Sequence, residues 1–327
     1  MTTDGLGLTV PAVRAHKRGP GRAAVTGPLA GEPEPLAHGA NGNGSGAGPA
    51  GGGRRPLVMV TAYDAPGAAM ADRAGVDIIL VGDSVAMAVL GYEDTLQLTV
   101  ADMAHHVAAV RRARPRCLVV ADLPWMSYHL SPAETVANAA VLVRAGAQAV
   151  KLEGGRSRVP MVEALLRAEV QVMGHLGLTP QSVHGMGGYR VQARQVAEAD
   201  AMVADAMALA GAGCFALVLE GVPDVVAEVV TGAVAVPTIG IGAGPGCDGQ
   251  VLVLHDVLGL SGVGAGPGYS DPRFVRRYAD LGRDGVAALA AWAADVREGR
   301  FPSSAESYHA GAALDGWTSR PRSPVPG

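Results

Sequence analysis

The run Ile78-Ile79-Leu80-Val81-Gly82-Asp83 decides the fold, because it is a short apolar segment that ends in a carboxylate and three other segments repeat the pattern. The other three are Leu118-Val119-Val120-Ala121-Asp122, Ala149-Val150-Lys151-Leu152-Glu153 and Phe215-Ala216-Leu217-Val218-Leu219-Glu220. Helical stretches separate the four runs, which is typical of parallel strands that are connected by helices. Polar side chains at the carboxyl ends of such strands are typical of enzymes built on a βα barrel. The sequence therefore predicts an enzyme, and the acidic strand ends favour one that uses a divalent cation.

Eight strands are predicted in all. They cover residues 57–62, 77–82, 117–121, 147–152, 170–174, 215–219, 236–241 and 250–254. Helices alternate with these strands, and two of them have clear amino-terminal signals, at Thr99-x-x-Asp102 and at Ser131-Pro132-Ala133-Glu134. The alternation predicts an α/β fold, a closed (β/α)8 TIM barrel, with a disordered N-terminal extension. Since crossovers between parallel strands are right-handed, all eight carboxyl ends are expected at one rim.

Three segments are predicted along the chain. Residues 1–55 are expected to form a disordered tail rich in glycine and proline, since the stretch 39–53 has no periodicity and no large apolar side chain. Residues 56–309 are expected to form the barrel, which is the catalytic domain. Residues 310–327 are expected to be a disordered C-terminal tail.

Composition limits the class of protein. The chain has 327 residues, of which 49% are hydrophobic and 17% charged, so it can bury a sizeable core. A formal net charge of −4 without blocks of like charge argues against nucleic acid or an acidic membrane surface as partner. No stretch has the length of a membrane helix, and Met1–Val10 lacks the pattern of a secretory signal. The three cysteines are scattered and form no Cys-x-x-Cys motif, so a reducing, cytoplasmic location is expected.

Asp83, Asp122 and Glu153 end successive strands, so a barrel would bring their side chains close together. Three neighbouring carboxylates repel one another unless a cation lies between them, and oxygen ligands favour Mg²⁺ over zinc. The alternative is that each carboxylate caps a helix or pairs with an arginine. Lys151 shares a strand face with Glu153, and it and Lys17 are the only lysines among 26 basic residues. Lys151 is therefore either functional or a chance exception in an arginine-biased chain.

Further candidates lie at the same rim. Glu220 ends the sixth strand among apolar neighbours, which suits a general base, although it could instead cap the following helix. His175 could bind a substrate oxyanion or could be a hydrogen-bonded core residue. Ser84 is expected to donate a hydrogen bond to the substrate. The segment Gly240-Ile241-Gly242-Ala243-Gly244 could bind phosphate through its N–H groups, or could let a loop and a helix pack closely.

A set of motifs resembles those of the ketopantoate hydroxymethyltransferase family. The motifs are Thr61-Ala62-Tyr63-Asp64, Val81-Gly82-Asp83-Ser84, Ala121-Asp122-Leu123-Pro124, Val150-Lys151-Leu152-Glu153-Gly154-Gly155, Gly174-His175-Leu176-Gly177-Leu178-Thr179-Pro180-Gln181-Ser182, Gly187-Gly188-Tyr189, Leu219-Glu220 and Ile239-Gly240-Ile241-Gly242-Ala243-Gly244. The resemblance runs from about residue 57 to 309 and keeps the order and spacing of the motifs. The run that begins at His175 is the most specific of them.

The resemblance implies a transferase that moves a hydroxymethyl group from 5,10-methylenetetrahydrofolate to α-ketoisovalerate, which is 3-methyl-2-oxobutanoate. The product is ketopantoate (2-dehydropantoate), in pantothenate and coenzyme A synthesis, and the reaction uses an enolate that Mg²⁺ stabilises. The implied partners are the keto acid and the folate. Ring-like homo-oligomers, decamers in the family, are also implied.

The resemblance assigns roles to residues as well. Asp83 and Asp122 match Mg²⁺ ligands, with Glu153 in the same shell, and Glu220 matches the proposed catalytic base. The residues matched to substrate binding are Asp83, Ser84, Asp122, Lys151 and His175. Arg190 and Ala193 stand where lysine and glycine are expected in many members, which leaves the folate contacts of that loop open.

Two alternatives come from other classes. One is a Mg²⁺ barrel enzyme of the phosphoenolpyruvate mutase and isocitrate lyase type, but no cysteine here lies at a suitable strand end. The other is a barrel that binds a ligand without catalysis. Glu220 favours an enzyme over a barrel that only binds, because a binding module needs no base beside the bound ligand.

Overall fold

A computed structural model of the 327-residue chain describes residues 7–17, 55–263 and 270–309. Eight parallel strands follow one another around a closed barrel, and the last strand pairs with the first. The strands are β1 Leu57–Thr61, β2 Ile78–Val81, β3 Leu118–Asp122, β4 Ala149–Glu153, β5 Val172–Gly177, β6 Ala216–Glu220, β7 Thr238–Ile241 and β8 Gly249–Val253. The predicted α/β fold with a (β/α)8 barrel is therefore confirmed.

Helices connect the first seven strands in turn, whereas β8 follows β7 without an intervening helix, and further helices precede β1 and follow β8. They are α1 Val10–Arg14, α2 Ala65–Arg73, α3 Val85–Ala88, α4 Val100–Arg112, α5 Pro132–Ala145, α6 Val159–Arg167, α7 Val183–Met186, α8 Val196–Ala212, α9 Asp224–Ala233, α10 Leu254–Val257 and α11 Leu281–Arg297, with 3₁₀ turns at Arg156–Arg158, Pro180–Ser182 and Ser304–Glu306. Both predicted helix starts are confirmed. Thr99 forms a capping box with Asp102, and the Ser131 side chain accepts a hydrogen bond from the N–H of Glu134.

All eight predicted strands are present, with ends that shift by up to three residues. The largest difference is in β5, which was predicted over 170–174 but extends to Gly177. Two glycines near its end weaken the local strand signal. Pairing overrides that signal, because Glu153 and Glu220 on the flanking strands pair with His175 and Gly177 of β5.

Most of the strands, such as β2, β3 and β4, are buried on both faces. One apolar cluster fills the barrel interior and includes Leu57, Ile78 and Leu118. The other lies between the strands and the surrounding helices, and it includes Ile79 and Val119. Strands of this kind appear as nearly continuous apolar runs, which is why the sequence predicted them.

Residues 7–17 correct the expected boundary of the N-terminal tail. The prediction that 1–55 is disordered is wrong for this segment, which contains α1 and packs against the amino-terminal end of the barrel. Val13 is 0% exposed within the interior cluster, and Lys17 Nζ lies 3.0 Å from Asp248 Oδ2. The reason is that a five-residue helix is too short to show periodicity in a glycine-rich stretch. The rest of the predicted tails, 1–6, 18–54 and 310–327, lies outside the described residues.

The range 56–309, predicted as one catalytic domain, is divided between two compact units. The first contains the barrel and runs to Val257, with residues 271–276 added. The second consists of 258–263, 270 and 277–309 among the described residues. Within the second unit α11 exposes several apolar side chains, among them Leu289 and Trp292. None of the helices in the described part of the chain is long and apolar enough to cross a membrane.

Candidate active site

Side-chain alternation places the predicted residues at the carboxyl rim of the barrel interior. Leu118 and Val120 of β3 belong to the interior cluster, so Asp122, two residues further on, points the same way. The same alternation takes β4 from Ala149 to Lys151 and Glu153. On the next two strands it brings in His175 and Glu220. The side chains that the sequence singled out are therefore neighbours across the mouth of the barrel.

Lys151 lies between two of the carboxylates. Its Nζ is 2.8 Å from Asp122 Oδ1 and 3.8 Å from Glu153 Oε1, and all three side chains are buried. Burial acts to lower the pKa of Lys151, but the charges of Asp122, Glu153 and Asp83 outweigh it and raise the pKa above its usual value. The ammonium group is therefore charged at neutral pH, at the centre of the acidic cluster.

His175 connects the fourth and sixth strands. Its Nδ1 is 3.1 Å from Glu153 Oε1, and its Nε2 is 3.2 Å from Glu220 Oε2. Burial and the charge of Lys151, whose Nζ is 3.2 Å from Nδ1, act to lower the pKa of His175. The two glutamates outweigh these effects and raise the pKa to about 9. The ring is thus an imidazolium at neutral pH. Its Nδ1 is hydrogen-bonded to Glu153, whereas Nε2 makes an ion-pair contact with Glu220 without an aligned hydrogen bond.

Both carboxylate oxygens of Glu153 already have partners. Oε1 contacts His175 and Lys151, and Oε2 accepts a hydrogen bond of 3.1 Å from the backbone N–H of Gln181. Burial acts to raise the pKa of Glu153, but the hydrogen bond from His175 and the two nearby positive charges lower it overall. Glu153 is therefore an ionised acceptor that orients its cationic neighbours.

Asp83 and Asp122 form the other side of the cluster. The backbone N–H of Asp83 donates to Asp122 Oδ2 over 3.0 Å. Burial is the main reason that the pKa of each is raised, and repulsion from Asp122 and Glu153 adds to the effect at Asp83. Asp122 Oδ1 contacts Lys151 but accepts no aligned hydrogen bond, although it is fully buried. These two aspartates are the carboxylates of the cluster that are least well compensated.

This charge distribution limits which of the three predicted carboxylates can bind a metal ion. No group of three or more His, Cys, Asp or Glu side chains within 7–17, 55–263 and 270–309 is arranged to hold a metal ion. The reason is visible at Glu153, whose oxygens are engaged by other residues and which is separated from Asp122 by Lys151. Asp83 and Asp122 still fit a hard cation, because Mg²⁺ commonly uses one or two carboxylates and completes its shell with substrate and water. The burial of these two acids and the unsatisfied Oδ1 of Asp122 agree with such a site.

Ser84 and Glu220 both lie at the barrel mouth, and Glu220 does not have the helix-capping role that was its alternative. The Ser84 hydroxyl makes a 2.8 Å hydrogen bond with the hydroxyl of buried Tyr63, beside Asp83. Glu220 does not cap the next helix, since Pro223 occupies the cap of α9 and the Glu220 carboxylate faces His175. The Glu220 side chain is 17% exposed to solvent, so a ligand at the barrel mouth can reach it.

The glycine segment after β7 is explained by packing. A Cβ at Gly244 would lie 2.4 Å from the Cβ of Asp224, at the start of α9, and the backbone φ of Gly244 is +73°. Glycine is therefore required for a close approach of loop and helix, which was one of the two interpretations from sequence.

Sequence reasoning missed three residues that hold the site together: Tyr63, Tyr128 and Gln181. Gln181 Nε2 donates to Asp83 Oδ2 over 2.8 Å, and the Tyr128 hydroxyl donates to Gln181 Oε1 over 2.6 Å. Gln181 lies within the most specific motif of the family resemblance, which was the available signal. Tyr128 has no comparable local signal, because its partners come from other loops.

A family model described as ketopantoate hydroxymethyltransferase matches residues 50–304, which is most of the chain. The chain belongs to the ketopantoate hydroxymethyltransferase family. It is 57% identical over 254 residues to the 3-methyl-2-oxobutanoate hydroxymethyltransferase of Methylobacterium sp. (strain 4-46), covering 78% of this chain and 86% of the relative. It is 54% identical over 253 residues to the protein of the same name from Moorella thermoacetica, covering 77% and 92%. The predicted membership of this family, and with it the prediction of an enzyme, is confirmed.

Solved structures with the same fold are more distant from this member of the ketopantoate hydroxymethyltransferase family. Phosphonopyruvate hydrolase superposes with a TM-score of 0.51 at 14% identity, covering 81% of this chain and 91% of that one. A 2,3-dimethylmalate lyase of the PEP mutase/isocitrate lyase superfamily superposes with a TM-score of 0.50 at 19% identity, covering 77% and 87%. At these identities the similarity concerns the fold alone.

Proposed function

We propose that this chain transfers a hydroxymethyl group to 3-methyl-2-oxobutanoate and forms ketopantoate, with 5,10-methylenetetrahydrofolate as the one-carbon donor. The names of the close relatives support the acceptor and the reaction. One structural observation carries the proposal: His175 links Glu153 to Glu220, and Lys151 links Glu153 to Asp122, so one network spans the barrel mouth. A general base and a cationic centre thus flank the same opening.

Asp83 and Asp122 would hold Mg²⁺. When bound, the ion supplies a Lewis acid that stabilises negative charge on the oxygen atoms of the keto acid. The site favours a cation, because Asp83, Asp122, Glu153 and Glu220 are balanced within this cluster only by Lys151 and the imidazolium of His175. Glu153 differs from its predicted role in this arrangement, since it acts by orienting Lys151 and His175.

The chain's own residues account for the movement of the proton. Glu220 takes the proton from C3 of the keto acid, and the His175 ring, whose Nε2 lies 3.2 Å from Oε2, orients the carboxylate. Lys151 offsets the negative charge that develops on the substrate. The Ser84 hydroxyl, fixed by Tyr63, donates a hydrogen bond to the bound keto acid. Water breaks both C–N bonds of the folate methylene group, so that each nitrogen leaves with a proton and the carbon keeps the oxygen as a formaldehyde unit. C3 then bonds to that carbon, and the oxygen takes the proton held by Glu220 and becomes the hydroxyl group.

The remaining partners belong to the same proposal. The substrates are small molecules, and the chain acts without nucleic acid or a membrane partner, in the cytoplasm and as a homo-oligomer. The low net charge of −4 supports the absence of a nucleic-acid or membrane partner from this proposal. The exposed apolar side chains of α11 provide a surface that subunit contact would bury.

Deuterium exchange at C3 of 3-methyl-2-oxobutanoate tests the chemistry directly. In D₂O with Mg²⁺ and without folate, NMR should show loss of the C3 proton in the wild type. Exchange should fall by at least about 100-fold in Glu220→Gln, which is the usual range for removal of a general base. Glu228→Gln on the exposed side of α9 is the matched control and should exchange normally. Exchange that persists in Glu220→Gln or without metal would refute the mechanism, and its absence from the wild type would favour a barrel that only binds.

A further inference from the structure

Gln181 joins three loops at the rim through its backbone N–H and both polar atoms of its side-chain amide. Its backbone N–H donates to Glu153 Oε2, and its Nε2 donates to Asp83 Oδ2 and, over 3.0 Å, to the carbonyl oxygen of Leu123. Its Oε1 accepts from the Tyr128 hydroxyl. The residue is buried, so each of these bonds replaces water that cannot reach the site. A surface glutamine would have no need for such complete pairing.

Tyr128 determines which way the amide of Gln181 faces. The Tyr128 oxygen accepts a 3.2 Å hydrogen bond from the N–H of Glu153, so its single proton is directed to Gln181 Oε1. With Oε1 engaged, the NH₂ group faces Asp83 and Leu123. A turned amide would place Oε1 against a carboxylate and a carbonyl, leaving all three acceptors unsatisfied. The hydrogen-bond chain therefore runs in one direction, from Glu153 through Tyr128 and Gln181 to Asp83.

The consequence falls on the two aspartates of the proposed Mg²⁺ site. Gln181 holds Asp83 through Oδ2, and the N–H of Asp83 holds Asp122 through its own Oδ2. Both carboxylates are thus fixed on one side by neutral donors, and Asp122 Oδ1 lies 2.8 Å from the Lys151 ammonium group without an aligned hydrogen bond. A neutral amide suits this place, because a positive side chain would compete with a bound cation and a negative one would repel Asp83.

We infer that Gln181 is a positioning residue that presets Asp83 for Mg²⁺ binding, and that Tyr128 locks its amide in the required direction. The inference rests on the proposed function, since it concerns the same metal site. Loss of a hydrogen bond to a carboxylate that must bind a cation weakens binding at least roughly tenfold. A residue that merely stabilised the fold would instead lower the melting temperature and leave Mg²⁺ affinity unchanged.

Isothermal titration of the full chain with Mg²⁺, at saturating 3-methyl-2-oxobutanoate, tests the inference. Gln181→Met keeps the length of the side chain and removes its polar atoms, and its Mg²⁺ Kd should rise at least about tenfold. Tyr128→Phe keeps the ring but frees the amide to turn, so its Kd should rise by a smaller factor, roughly threefold to tenfold. Gln148→Met makes the same change at the opposite end of β4, on an exposed residue, and should bind Mg²⁺ as the wild type does.

The outcomes distinguish a failure of the role of Gln181 from a failure of the proposed Mg²⁺ site. A folded Gln181→Met protein whose Mg²⁺ Kd is within about twofold of the wild type overturns the role of Gln181, whatever its melting temperature. If Gln181→Met does not fold, an unchanged Kd in Tyr128→Phe overturns it instead. Failure of the wild type to bind Mg²⁺ refutes the metal site of the proposed function, and this inference with it.

Discussion

Lys151 and Asp122 form an ion pair of 2.8 Å in which both side chains are at least 96% buried, since their exposed fractions are 4% and 3%. Neighbouring strands supply the two residues, and β3 pairs with β4 in a register that sets Asp122 beside Lys151. The pair lies where Glu153 and His175 add one further negative and one further positive charge. Removal of the ammonium group would therefore leave buried carboxylates without compensation.

Lys151→Met should lower the free energy of unfolding by about 3–5 kcal/mol at pH 7, the usual cost of leaving a buried charge unpaired. The loss should shrink as the pH falls, because Asp122, whose pKa is already raised, can then take a proton in the folded state. Urea unfolding at pH 7 and pH 5 measures both effects. Arg167→Met is the control, since it breaks an exposed pair with Glu163 and should cost less than about 1 kcal/mol. Equal losses in the two variants would show that burial is not the cause.

The raised pKa of His175 predicts that the stability of the fold depends on pH. Its pKa is raised to about 9 in the folded chain, against about 6.5 in the unfolded one. The protonated ring therefore stabilises the fold fully below about pH 6.5, and this contribution is lost as the pH rises through 9. In metal-free protein, the difference in unfolding free energy between wild type and His175→Gln should fall by on the order of 3 kcal/mol between pH 6 and pH 10. A difference that stays constant over that range would show that the ring is neutral in the native state.

Adding a single methyl group at Gly177 is expected to impair catalysis. A Cβ there would lie 2.1 Å from the backbone oxygen of Glu220, and φ is +96°. Gly177→Ala should therefore displace Glu220 and reduce C3 exchange by on the order of 100-fold, as a small misplacement of a catalytic group does. Gly75→Ala is matched to it, because Gly75 also has a positive φ, +75°, but no atom within 4 Å of the added Cβ. That variant should lose about 1–2 kcal/mol of stability from backbone strain and keep its exchange rate.

Val13 tests the docking of the N-terminal segment. The side chain is fully buried in the interior cluster with Leu57 and Leu118. Val13→Ala should lower the free energy of unfolding by about 2 kcal/mol, from the lost apolar burial and the cavity that remains. Val225→Ala, at a position of α9 that is 62% exposed, should change it by less than about 0.5 kcal/mol. Chemical denaturation of both variants measures the difference, and equal values would show that residues 7–17 do not stabilise the barrel.

Local patterns were sufficient for the barrel and insufficient for the details of its site. Runs such as Ile78–Val81 were recognisable because they are buried on both faces, and helix starts such as Ser131 were recognisable because a cap involves only four consecutive residues. The end of β5 and the docking of α1 were misjudged, because pairing and packing with distant segments decide them. The roles of Gln181 and Tyr128 were not predicted for the same reason.

The sequence by itself determined that eight strands would form and that their acidic ends would meet at one rim, because strand alternation and the handedness of crossovers are local rules. Only the tertiary structure decided that Lys151 would lie between Asp122 and Glu153, and that His175 would join Glu153 to Glu220. Such contacts depend on the relative heights of side chains on neighbouring strands. Barrel closure determines those heights, and no single stretch of sequence records them.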